Sequence, residues 1–166
     1  MNESPREDVA SSFVYPLTSL CGGAVLLGLL LREGFAEGGW WVALSQACIV
    51  SFSLLACFWL SSWLANEVRA RYLSLDSDMP ACFMLVGYSM AVSFALVLFT
   101  GLFPELVIIR YVLQFYVVYV VWLGADTVMK IEENKRMTFS LIVAGLVLFI
   151  PFLFSFIFDR LSEIVV

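Results

Sequence analysis

One carboxylate stands where it could do chemistry. Asp126 closes an apolar stretch in which Tyr111, Phe115, Tyr119 and Trp122 precede it at helical spacing. At 100° per residue these five positions share an arc of roughly 80°. Acids inside membrane-crossing helices are costly and often mark relays, so one reading is a pathway or substrate wall with Asp126 at its mouth. The other is an aromatic packing seam, with Asp126 already among headgroups and Lys130 one turn on as its partner. A relay needs further acids at depth, and the other apolar stretches contain none. The seam therefore carries more weight. Arg110, near the start of the same stretch, reads as an anchor whose stem can snorkel to the headgroups; a voltage sensor would carry several arginines at helical spacing.

Other chemistries lack their residues. The chain has no histidine, which removes His-based triads and HExxH zinc sites. Neither GxSxG nor a glycine-rich phosphate loop occurs, and Gly22–Gly23 and Gly38–Gly39 stand alone. An aspartyl dyad needs two carboxylates sharing a proton, and Asp126 has no second acid at depth. Cys21, Cys48, Cys57 and Cys82 form no CxxC and read as small buried residues. These observations point to a protein that is not an enzyme, with no metal and no cofactor.

The elements that must position these residues are apolar. Of the side chains 62% are hydrophobic and 14% charged, with a mean hydropathy of +0.96, more apolar surface than a soluble domain of this size could hide. About 20 apolar residues cross ~30 Å of hydrocarbon, and five segments meet that length: 13–31, 40–65, 82–103, 106–126 and 139–158. The expected fold is all-α, one polytopic transmembrane helical bundle of five spans, with short tails at 1–12 and 159–166. The first segment is too long, and its leading tail too acidic (Glu3, Glu7 and Asp8 against Arg6), for a cleaved signal peptide. The net charge of −5 and the absence of a basic cluster argue against nucleic acid as a partner.

Counting Lys and Arg on alternate sides gives six on the N-terminal side and two on the other, three with Arg110. The positive-inside rule then places the N-terminus, loop 66–81 and loop 127–138 in the cytoplasm and the C-terminus outside. Trp40–Trp41 suit the opposite interface. Small-residue rows should mark packing faces: Gly87, Ala91 and Ala95 in span three, Ala43, Ala47 and Ser51 in span two, Ser19 with Gly23 in span one. Pro151 should kink span five or free a carbonyl.

Three local features carry a resemblance. Tyr15–Pro16–Leu17 opens span one, Gly87–Tyr88–Ser89 lies in span three, and Trp122–Leu123–Gly124 closes span four ahead of a charged loop with Lys135–Arg136. Together with five spans they resemble the Yip family of membrane proteins, which in eukaryotes interact with Rab-type GTPases. The resemblance implies a helical bundle with roles in membrane organisation, trafficking or vesicle formation. It marks Gly87 and Tyr88 as a structural motif and Gly124 as a close-packing position. Eukaryotic relatives carry a substantial cytosolic segment before span one, whereas here a dozen residues precede it. The chain is thus more similar to short bacterial members of the inner (plasma) membrane, and GTPase binding is not carried over. The expected function is a non-enzymatic membrane-organising or partner-binding module, its partners the lipid bilayer and other membrane proteins or a second copy of itself. The alternatives are a small transporter or channel using Tyr119, Trp122 and Asp126 on span four, and an accessory subunit of a larger complex. Five spans do not divide into two equal repeats, and no internal repeat is present, which weighs against the transporter.

Overall fold

The computed structural model describes residues 10–33, 39–72, 76–103, 105, 107–128 and 133–165, and every element among them is helical. A π-wound turn over Ala10–Val14 leads into α1 (Tyr15–Glu33), followed by α2 (Gly39–Tyr72), α3 (Met79–Leu102), α4 (Val107–Gln114), α5 (Tyr116–Thr127) and α6 (Glu133–Val165). Pro16, second residue of α1, has no N–H to give to Ser12, and the turn ahead of it is wound wide. The chain is an all-α bundle of apolar helices, four of them long and apolar enough to cross a membrane.

The fourth expected span departs from a single helix. It is broken at Phe115 into the eight residues of α4 and the twelve of α5. There the Phe115 N–H reaches Val112 O at 3.3 Å and the Val118 N–H reaches Phe115 O at 3.1 Å, so the ladder steps back three residues instead of four. β-Branched side chains crowd both halves and favour the helix less than Leu or Ala does. End to end the two pieces still cover roughly 30 Å at 1.5 Å per residue. Leu106, the expected start of this span, lies outside the described residues.

Two helices outrun the spans expected of them. α2 continues through Asn66 and Arg71 to Tyr72, so most of the first half of the expected 66–81 loop is helix. α6 begins at Glu133 and passes through Pro151 to Val165, taking in the expected tail up to that residue. Among the described residues its buried apolar face is formed by Phe139, Val143, Ala144, Val147 and Ile150, the last of them one residue before the proline.

α3 is the centre of the bundle. It packs against α1 and α2 on one side and α5 on another, while α6 packs against α2 and α5. Asp78 caps α3 by accepting the Ala81 N–H at 3.1 Å, and Pro80 sits in the first turn, where a missing donor costs nothing. The α2–α3 connection is pinned by the α2 overhang: Asn66 Oδ1 accepts the Asp78 N–H at 3.2 Å, and Arg69 Nε donates to Asp76 O at 2.9 Å. Deeper in, Phe83 stacks on Phe58 at 5.5 Å and meets Trp59 edge-on at 4.9 Å.

Close helix approach occurs at glycines the small-residue rows did not single out. A side chain on Gly28 of α1 would run into the backbone carbonyl of Gly101 on α3, and one on Gly22 would meet Ser51 and the Ala47 carbonyl of α2. The expected Ala47–Ser51 row is therefore a packing face, but its partner is Gly22 and not Gly23, which faces open space. In α3 the row turns outward along its length: Gly87 is buried, Ala91 half-buried and Ala95 exposed. Intramembrane hydroxyls mostly bind their own helix. Thr18 donates to Val14 O at 2.7 Å, Ser51 to Ala47 O at 2.9 Å and Ser89 to Leu85 O at 2.7 Å, which satisfies them without a partner from elsewhere.

Candidate functional site

The last two turns of α5 present two chemistries on two flanks, because Gly124 and Asp126 are about 200° apart around the helix. On the flank toward α3, Gly124 forms the floor of a shallow groove of about 190 Å³. A Cβ at Gly124 would collide with Leu85 Cδ1, so glycine sets how closely α5 approaches α3. Tyr88 and Ser89 of α3 and Leu123 and Thr127 of α5 also line it. Tyr88 is half exposed, its ring tilted 43° to that of Phe13 at 5.6 Å. Thr127 donates to Leu123 O at 3.0 Å, and Ser89 is likewise tied to its own helix. The groove is consequently an apolar seat, shaped for an aliphatic side chain or acyl segment and not for an ion. Gly87 is buried within the bundle and is not among its lining residues.

The other flank carries an ion pair. Arg136, in the first turns of α6, places Nη1 2.8 Å from Asp126 Oδ1, and its guanidinium carbon lies 4.9 Å from the centre of the Trp122 ring. The arginine side chain is 18% exposed and the aspartate 57%, so the cation is held inside while the carboxylate faces outward. Trp122 and Asp126, one turn apart, thus grip the start of α6 through a charge-assisted bond and a cation–π contact. Lys130, the expected partner of Asp126, lies outside the described residues. Arg136 was visible in the sequence only as one basic residue of a charged loop; nothing in helical periodicity couples residues on two different helices.

Two further residues of the stripe point away from the bundle. Phe115 and Tyr119 are exposed, the Tyr119 ring 5.5 Å from that of Tyr116. The side chains of Arg110 and Tyr111 lie outside the described residues. Among the described residues no group of three His, Cys, Asp or Glu is placed to hold a metal ion. The four cysteines are free, Cys48 exposed and the other three buried.

No curated protein and no solved structure matches this chain. A family does: the model described as the Yip1 domain matches residues 1–155. That match covers both helices of the groove and the whole of the clamp, and it identifies an integral membrane protein of apolar helices. The chain belongs to the Yip1 domain family.

Proposed function

We propose that this protein is a non-enzymatic partner-binding module that organises the membrane around it. The observation that supports the reading most directly is the meeting of two sequence motifs in one groove. Tyr88 and Ser89 of the first face Leu123 and Gly124 of the second across the α3–α5 contact. A seat of this kind suits an apolar side chain of a neighbouring membrane helix, and its floor depends on a residue with no side chain. The lysine and arginine distribution supports an N-terminus in the cytoplasm, and we assign the protein to a bacterial inner membrane. The competing reading, transport along the α5 stripe, has against it the outward position of Phe115 and Tyr119.

A photo-crosslinking residue in place of Tyr88 or Thr127 tests the proposal in intact membranes. The expected result is a discrete protein adduct that is lost when Gly124→Leu fills the groove. Adducts with lipid alone, from well-folded protein, would sink it.

A further inference from the structure

Along α4 and α5, across the break at Phe115, Ile108, Val112, Phe115, Tyr119 and Trp122 follow one another in alternating steps of four and three. This 3.5-residue repeat is the seam along which two helices wrap around each other. All five side chains are exposed, at 73%, 67%, 72%, 57% and 38%. Trp122, at one end of the seam, is held against Arg136 of α6; the other four have no such contact with another helix of the bundle among the described residues. The seam is also not plain lipid-facing surface. Tyr119 lies about 10 Å, and its neighbour Tyr116 about 15 Å, along the helix from Asp126, so with α4 and α5 as one crossing and Asp126 at the headgroups both phenol hydroxyls fall within the hydrocarbon. Neither is bonded to a carbonyl or side chain of the bundle among the described residues. In lipid such a group has no water to satisfy it.

Resting on the partner-binding reading above, we infer that the partner along this seam is a second copy of the chain, with the two fourth crossings packed in parallel about a two-fold axis normal to the membrane. Identical phenols suit this arrangement, since each hydroxyl both donates and accepts and can satisfy its symmetry mate. The area agrees. Aromatic side chains carry about 150–250 Å² each, so Phe115, Tyr116 and Tyr119 at their exposures leave roughly 350 Å² per copy and about 700 Å² in a pair. Ile108, Val112 and Trp122 lengthen the same strip and bring it to the ~1,000 Å² of a specific interface. Phe115, Tyr119 and Trp122 lie on the flank of α5 away from Gly124, whereas Tyr116 borders the α3–α5 groove on the side of Leu123 and Thr127, so pairing runs along one edge of the groove and leaves its Gly124 floor uncovered.

The test places a photo-crosslinking aromatic residue at Phe115 or Tyr119, and at Leu27 and Phe52 on α1 and α2 as controls, in cells expressing two differently tagged copies of the full chain. Adducts of dimer mass carrying both tags are expected from 115 and 119 and not from 27 and 52. In liposomes, Tyr116→Phe with Tyr119→Phe should weaken dimerisation, read by energy transfer between labelled copies, about threefold per hydrogen bond lost and at most about twentyfold. Adducts at 115 and 119 with lipid or with another protein only, dimers formed equally from the control positions, or unchanged dimerisation in the double variant overturn the inference. If the groove adduct at Tyr88 persists while 115 and 119 yield no dimer, self-pairing alone fails. If neither site captures protein, the partner-binding reading falls with it.

Discussion

Arg136, its side chain largely buried, serves two neighbours at once: the Asp126 carboxylate and the Trp122 ring. Its two bonding partners contribute unequally. Asp126 is more than half exposed, and exposed pairs contribute about 0.2–1 kcal/mol. Asp126→Asn should thus lower stability by about 0.5 kcal/mol, whereas Arg136→Ala, which also removes the ring contact and buried packing, should cost about 2 kcal/mol. Unfolding midpoints in mild detergent, with the double variant closing the cycle, check both numbers. Under the transport reading Asp126→Asn would instead abolish solute flux in proteoliposomes. We expect no flux from the parent protein to abolish. Part of this site was legible in the sequence. Tyr88 and Gly124 stood out within short motifs, and Asp126 as a lone acid at a helix end. Arg136 as the partner was not, because its position depends on how α6 folds back on α5. Nor was the outward aim of Tyr119 legible, since a helix apolar on all sides gives no sign of which side meets lipid.

At the scale of the helix, contact distance is set by residues with no side chain. Gly28 and Gly101 bring α1 and α3 together backbone to backbone, and a methyl group there must push two helices apart. Overpacking of this kind costs about 1–3 kcal/mol, so Gly28→Ala should fall near the upper end in a detergent or denaturant titration. Gly23→Ala, five residues earlier and facing open space, should be neutral or stabilising by up to about 1 kcal/mol, because alanine favours the helix. Gly124→Ala should fall between, since the atom in its way is the mobile end of Leu85. The long apolar runs made the helices readable. The break at Phe115 has neither glycine nor proline to announce it, and the overhang of α2 is masked in hydropathy by Asn66, Glu67, Arg69 and Arg71, which read as loop.

For the whole molecule, an odd number of crossings has a consequence that can be measured without knowing the partner. If α4 and α5 together make one crossing, as their combined length allows, the chain's two ends face opposite compartments. A reporter fused after Val166 should be active only on the outer side, and one fused before Met1 only in the cytoplasm. Both ends reporting from the same side would mean that the broken helix does not cross. The lysine and arginine asymmetry sets the expected sign. Removing Lys135 and Arg136 together should weaken that preference, visible as a mixed reporter signal.

The pinned turn between α2 and α3 also bears on how the molecule is made. Asn66, Arg69, Asp76 and Asp78 join the end of one helix to the start of the next across a short connection. The aromatic contact of Phe58, Trp59 and Phe83 lies just beneath it. Two neighbouring segments linked so locally lose little chain entropy on pairing. They are therefore expected to be inserted as a ready-made hairpin, with α1 and the α5–α6 pair docking onto it afterwards. Asn66→Ala should then act on the yield of correctly inserted protein during synthesis more than on the stability of molecules already assembled.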